Sequence, residues 1–95
     1  MSDAPVIADD AKPHLPRGVR LKHDDTRNEW LLLAPERVVK ADAIAVEILK
    51  RCDGVATLKE IIDDLAGQFK VDRDRVATDV RHMLGELTAK RMVDL

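Results

Sequence analysis

The residues that could carry out chemistry are three histidines and one cysteine. His14, His23, His82 and Cys52 lie far apart in the sequence, and none of them forms a C-x-x-C or H-x-x-x-H pair. Such pairs let one short segment bring two ligands to a zinc ion. We therefore predict no metal site. Cys52 lies on the apolar stripe of a helical segment, and this position favours a small buried thiol over a reactive one.

Motifs of the common enzyme classes are also absent from the sequence. The chain has no glycine-rich phosphate loop, no G-x-S-x-G turn and no nucleophile placed beside a base. Asp63 and Asp64 are adjacent on a helical segment, so they do not share a face and indicate a solvated surface. A chain of 95 residues leaves little room for a deep pocket. We predict that the protein is not an enzyme, with no catalytic residue and no cofactor.

The charge balance argues against nucleic acid as a partner. The chain has 16 basic and 18 acidic residues, which gives a net charge of −2. Phosphate-binding domains, in contrast, carry an excess of basic residues. A DNA-binding regulator of the winged-helix type stays as the alternative, because the last helix exposes several cations among its acids. No apolar run approaches the roughly 20 residues of a membrane span. With one cysteine and no visible signal peptide, we expect a cytoplasmic protein without membrane contact.

From residue 18 onward, the pattern predicts three strands followed by three helices. Residues 19–23 alternate apolar and charged side chains, residues 29–33 are apolar on both faces, and residues 37–40 form a third strand after Pro35. Short links between the strands favour an antiparallel meander, which leaves the third strand at an edge. We predict an α+β fold, similar to a winged helix-turn-helix. Residues 1–17 contain three prolines and no periodicity, and are predicted to be a mobile arm or linker before a domain of residues 18–95.

The helices are predicted from apolar residues at three- and four-residue spacing. Thr57 and Glu60 have the spacing of a capping box at the start of the second helix. A tail of apolar residues is expected to return to the core. The predicted buried positions are Ala41, Ile44, Ala45, Ile48, Leu49 and Cys52 in the first helix, Leu58, Ile61, Ile62, Leu65, Ala66 and Phe69 in the second, Val76, Val80, Met83, Leu84 and Leu87 in the third, and Met92, Val93 and Leu95 in the tail.

The third strand, residues 37–40, is short and bordered by Arg37 and Lys40. Such charged edges resist uncontrolled pairing, yet an edge strand can also accept a peptide as an added strand. If the third helix packs beside this edge, Val80, Met83 and Leu84 could form an apolar floor for the peptide. A simple core role remains the alternative, above all for Val76 and Leu87, and for Met83 the two roles are evenly balanced.

One long segment resembles the PqqD family of pyrroloquinoline quinone biosynthesis. The resemblance covers about residues 18–95 and is carried by "WLLLAPERVVKADAIAVEILKRCDG", "TLKEIIDDLAGQF" and "VATDVRHMLGEL". Its most specific parts are the Leu-Leu-x-Pro-Glu step at residues 32–36 and the Ile-Leu-x-x-Cys-Asp-Gly run at residues 48–54. Ala41 replaces a larger apolar residue, and Arg91 stands where glycine is common in the family.

The resemblance implies a peptide chaperone. Members of the family bind the precursor peptide PqqA and present it to the radical-SAM enzyme PqqE, which crosslinks a Glu to a Tyr of the peptide. The peptide is expected to add as a strand beside the third strand and the third helix. Some members are fused behind the oxidase PqqC, and residues 1–17 would suit such a linker. The residues expected to bind the peptide are Glu36, Arg37, Val38, Val39, Lys40, Val76, Asp79, Val80, Met83 and Leu84.

Overall fold

The computed structural model describes residues 7–95 and has the predicted order of elements. A three-stranded antiparallel sheet, in the order β1-β2-β3, precedes three helices. Within residues 7–95 no helix is long and apolar enough to cross a membrane. The elements are β1 (Arg20–Asp24), β2 (Glu29–Ala34), β3 (Arg37–Ala41), α1 (Ala43–Lys50), α2 (Leu58–Phe69) and α3 (Arg73–Ala89).

The sheet presents one face to the helices because its strands alternate. Leu32, in the central strand, pairs with Leu21 on one side and Val39 on the other. Leu32 is buried, and its two partners pack against the same core. The next pair along, Leu33 and Val38, points to the opposite face of the sheet. A shift of one residue in this register would expose the core row, so the apolar pattern fixes the pairing.

Each of the first two helices begins at a side-chain cap. The Asp42 carboxylate accepts a hydrogen bond of 2.8 Å from the backbone N–H of Ala45 at the start of α1. Thr57 and Glu60 form the predicted capping box of α2, each side chain accepting from the other residue's backbone N–H. Such caps satisfy N–H groups that have no partner within the helix. The start of α1, directly after β3, is therefore fixed in position.

The core is aliphatic, as the near absence of aromatic residues predicts. Cys52 is buried in it, and its thiol donates to the carbonyl of Ile48 at 3.3 Å. Burial raises the pKa of this thiol to about 12, so the thiolate hardly forms at neutral pH. Cys52 is thus a structural residue, as predicted. The buried set is Ile7, Leu32, Val46, Ile48, Leu49, Cys52, Leu58, Ile61, Ile62, Leu65, Val80, Leu84, Leu87, Met92 and Val93.

Residues 7–17, which we call the N-terminal strap, pack against the domain. Ile7 and Pro13 are buried. His14 exchanges backbone hydrogen bonds of 2.8 Å with Asp94, and the carbonyl of Pro13 accepts from the N–H of Gly54. The prediction of a mobile arm is therefore wrong for residues 7–17, because main-chain pairing holds a segment that has no apolar periodicity. Residues 1–6 lie outside the described part.

Three residues predicted to face the core are exposed instead. Ile44 is 66% exposed and Phe69 50%, while Val46 takes the buried position in α1. In the C-terminal tail, Met92 and Val93 are buried as predicted, but Leu95 is exposed. The helical period places Ile44 and Phe69 on apolar stripes, but both lie at helix ends: Ile44 in the first turn of α1 and Phe69 as the last residue of α2. These two side chains border a groove described below.

Candidate peptide-binding site

The outer side of β3 has no neighbouring strand within residues 7–95, because β3 is the last strand in the sheet order. Two residues, Pro35 and Glu36, link it to β2, so the flanking pair Ala34 and Arg37 closes the hairpin. In an antiparallel ladder, hydrogen-bonded and non-hydrogen-bonded pairs alternate. If the closing pair is hydrogen-bonded, the N–H and C=O groups of Val38 and Lys40 point away from β2, toward an added strand.

A groove of about 400 Å³ lies beside this edge, and we call it the edge groove. Its walls come from β3, the start of α1 and one side of α3. The wall is apolar in the middle and charged at its rim, an arrangement suited to an extended peptide with some large apolar side chains. The lining residues are Leu32, Val39, Lys40, Ala41, Asp42, Ile44, Ala45, Ile48, Leu49, Asp79, His82, Met83, Glu86, Leu87 and Lys90.

Four of the ten predicted peptide-binding residues line the edge groove: Val39, Lys40, Asp79 and Met83. Val38 lies on the same strand with a side chain that is 63% exposed on the other face of the sheet. The structure therefore brings β3 and α3 together as expected. Met83 is only partly buried, so it has surface to offer a bound chain.

The remaining predicted residues lie elsewhere. Glu36 and Arg37 border a separate depression beside Pro16 at the hairpin end of the sheet. Val80 and Leu84 are almost fully buried, with 1% and 0% of their surface exposed. Both side chains fill the core, so their contact with a bound peptide stays a prediction. Val76 borders a different groove.

The sequence did not predict the part of the edge groove that is formed by the end of β3 and the start of α1. Ala41 and Asp42 line it together with Ile44 and Ala45 of α1, and Ala41 ends β3 instead of belonging to the first helix as predicted. A signal was present, since α1 begins two residues after the edge strand ends and must therefore lie close to it. Because Ile44 was predicted to be buried, the start of α1 was not assigned to the site.

Charges around the edge groove are of both signs and largely exposed. Lys40 lies 3.7 Å from the carboxylate of Glu29, and His82 lies 3.2 Å from Glu86 one turn along α3. Exposed pairs of this kind contribute little to stability or affinity. Main-chain pairing and apolar contact are therefore the interactions that this site offers most strongly.

The acidic face of α2 is engaged within the domain. Asp63 pairs with Arg73, and Asp64 accepts from the guanidinium of Arg51 at 2.6 Å. The hydrogen bond to Asp64 raises the pKa of Arg51 further, and Arg51 in turn lowers the pKa of Glu47. These carboxylates join α1, α2 and α3 to one another. In the described residues no group of three or more His, Cys, Asp or Glu could hold a metal ion.

Comparison with known proteins agrees with this geometry. Residues 29–93 match the family model described as coenzyme PQQ synthesis protein D, PqqD. The chain belongs to the PqqD family. The matched residues include β2, β3 and all three helices, and so contain every element that lines the edge groove.

A relative and two solved structures illustrate the breadth of the PqqD family. A PqqA binding protein of Rhodopseudomonas palustris is 49% identical over 84 residues, which is 88% of this chain and 82% of that one. The solution structure of the PqqD part of Methylobacterium extorquens PqqCD, described as a functional and stand-alone recognition element for ribosomally synthesised, modified peptides, is 36% identical. It superposes with a TM-score of 0.83 over 99% of this chain and 100% of that one. The crystal structure of PqqD from Xanthomonas campestris is 43% identical, with a TM-score of 0.61 over 95% and 100%.

Proposed function

We propose that this protein is a non-catalytic peptide chaperone that binds the precursor peptide PqqA as an added strand and presents it to the radical-SAM enzyme PqqE. The open outer edge of β3 beside an apolar groove is the observation that carries the proposal. Relatives across the same span are named PqqA binding proteins. The buried, unpaired thiol of Cys52 fits a reducing, cytoplasmic setting.

Strand addition explains why the edge is short and charged. Main-chain groups of Val38 and Lys40 supply affinity that does not depend on the peptide's side chains, while the edge groove selects particular ones. Val39 and Met83 stand on opposite walls of that groove. The flexible thioether of Met83 can adapt to the side chain that enters.

The alternative of a DNA-binding regulator has weaker support. A recognition helix needs free cations on its exposed face. On α3, Arg73 is paired with Asp63, and Arg81 bonds the carbonyl of Ile7 at 2.7 Å and the carboxylate of Asp9. Two of the basic residues that could read DNA thus already contribute to holding the domain together.

Presentation to PqqE requires a surface outside the peptide groove, since the peptide must stay bound while the enzyme acts. One candidate is the mixed-charge surface of α2 around Lys59, Asp63 and Asp64. Asp63 and Asp64 are held in ion pairs with Arg73 and Arg51, and Lys59 is exposed beside them. Simultaneous binding of PqqA and PqqE to the domain in a titration is the expected result, and competition between them would contradict this part of the proposal.

A pair of proline substitutions tests strand addition. Proline removes a backbone N–H, so Val38→Pro should delete a donor on the outer edge and weaken PqqA binding by at least about tenfold. Val39→Pro should instead disturb the pairing with β2 and lower the stability of the fold. Binding is measured by calorimetry, and folding by circular dichroism and thermal unfolding.

The matched control is Val38→Thr, which keeps the backbone N–H and the β-branched shape. It should bind PqqA about as well as the unaltered protein. A folded Val38→Pro variant with unchanged affinity would rule out strand addition at this edge. Backbone amide shifts along β3, along α3 and at the start of α1 on adding PqqA would support it.

A further inference from the structure

A second groove of about 450 Å³ lies on the helical side of the domain, and we call it the helix groove. It runs between α1, the end of α2 and the start of α3. Ile48, Leu65 and Val80 form its buried base. Within residues 7–95, six large apolar side chains are exposed, and three of them border this groove: Ile44, Phe69 and Val71. An exposed apolar cluster of this kind marks an interaction surface.

The helix groove is continuous with the edge groove. Ile44, Ile48 and Asp79 line both. Ile44 lies in the first turn of α1, which begins two residues after β3 ends. A peptide that pairs with β3 and continues past Ala41 therefore reaches Ile44 and the entrance of the helix groove.

The strand-pairing site is short. Five paired residues along β3 cover about 17 Å. A longer peptide therefore extends beyond β3, and the helix groove offers contact to the residues that follow.

The charges at the rim are of both signs. Glu47 is engaged by Lys50 and Arg51, while the exposed Arg75 and Asp79 line the groove one turn apart on α3. The base of the groove is apolar, so the groove suits a large aliphatic or aromatic side chain.

We propose that the helix groove binds a large apolar side chain of the same peptide, from the segment that runs past Ala41 beyond the strand-pairing part. This inference rests on the proposed function, since it extends the β3 site to a second anchor point. The bound peptide would thus be held both by its backbone along β3 and by one side chain between α1, α2 and α3.

Phe69→Ser is the decisive variant, because Phe69 lines the helix groove and not the edge groove. The probes are full-length PqqA and two shortened PqqA peptides, one trimmed from each end. Phe69→Ser should weaken binding of full-length PqqA about tenfold. It should leave unchanged the affinity of the trimmed peptide that lacks the anchor but still pairs with β3.

Val55→Ser serves as the matched control, because Val55 is an exposed apolar residue outside both grooves. It should bind all three peptides as the unaltered protein does. Val71→Ser provides a second groove variant if Phe69→Ser lowers the melting temperature.

The outcomes separate this inference from the proposed function. If Val38→Pro abolishes binding while Phe69→Ser and Val71→Ser leave it intact, the anchor is refuted and strand addition stands. If Val38→Pro has no effect, the proposed function itself fails. If Phe69→Ser changes only the sedimentation of the free protein, or only its binding to PqqE, the groove belongs to a second copy or to the enzyme, and the inference is overturned.

Discussion

The N-terminal strap and the outer edge of β3 differ in how their main-chain groups are paired. The strap pairs its main chain with distant parts of the domain: His14 with Asp94, Pro13 with Gly54, and Ala11 with Leu58 at the start of α2. The edge of β3 has no such partner in the described chain. One region is paired with the protein's own backbone, and the other is left unpaired within the described residues.

The side chains follow the same division. Arg81 fixes the strap by bonding the carbonyl of Ile7 and the carboxylate of Asp9, and Ile7 enters the core. Beside β3, Val38 and Ile44 are exposed. On the proposed function, the domain therefore uses its apolar residues for stability at the strap and for recognition at the edge. Substitutions in the two regions should therefore affect different quantities.

The largest effect is expected at the strap. Ile7→Ala should lower the free energy of unfolding by about 2 to 5 kcal/mol, because it removes a buried side chain and leaves a cavity. Affinity for PqqA should not change where the variant is folded. Urea unfolding and calorimetry measure the two quantities. A stable variant that binds PqqA poorly would break the comparison, since the strap would then take part in recognition.

Met83→Ala should lower the affinity for PqqA. Met83 is partly exposed in the edge groove, so we expect a loss of about 1 to 2 kcal/mol in PqqA binding energy. The neighbouring Leu84→Ala is the matched control: Leu84 is fully buried, so its truncation should cost stability first. If Met83→Ala destabilises the fold as strongly as Leu84→Ala without weakening binding, Met83 is a core residue.

A smaller gain in stability is expected at Arg91, where the chain turns to bring Asp94 to the strap. Arg91 has a φ of 60°, in the left-handed region that favours glycine. Arg91→Gly should raise the free energy of unfolding by about 0.5 to 1 kcal/mol. Lys90→Gly, at a φ of −86°, should lower it instead. Chemical denaturation of both variants checks the sign.

The smallest effect concerns the stability of the fold at acidic pH. The backbone N–H groups of Ala56 and Val55 bond the carboxylate of Asp53 and lower its pKa. Because the folded pKa lies below the unfolded one, the carboxylate stabilises the fold above about pH 4 and this contribution is lost as the pH falls through the folded value. Asp53→Asn should flatten the acid side of the stability profile. An unchanged profile would show that this turn does not contribute.

Local patterns predicted much of the fold. The alternation in β1, the capping box of Thr57 and Glu60, and the burial of Cys52 depend on neighbouring residues, which a sequence displays directly. The strap was missed because main-chain pairing leaves no side-chain pattern. The site was predicted in part. Helical spacing shows which residues share a stripe, but it does not show that α3 turns Leu84 inward and leaves Met83 at the groove, or that nothing covers Ile44.

The long reach of the strap also bears on how the chain folds as it is made. Arg81 follows Ile7 by 74 residues, so at about 5 to 20 residues per second the strap waits on the order of 4 to 15 s for its partner. The strap leaves the ribosome before the helices do, yet it is among the last segments to dock. The edge groove, whose far wall is α3, is completed over the same interval, and the nascent sheet has no finished binding site to offer before the last helix has emerged.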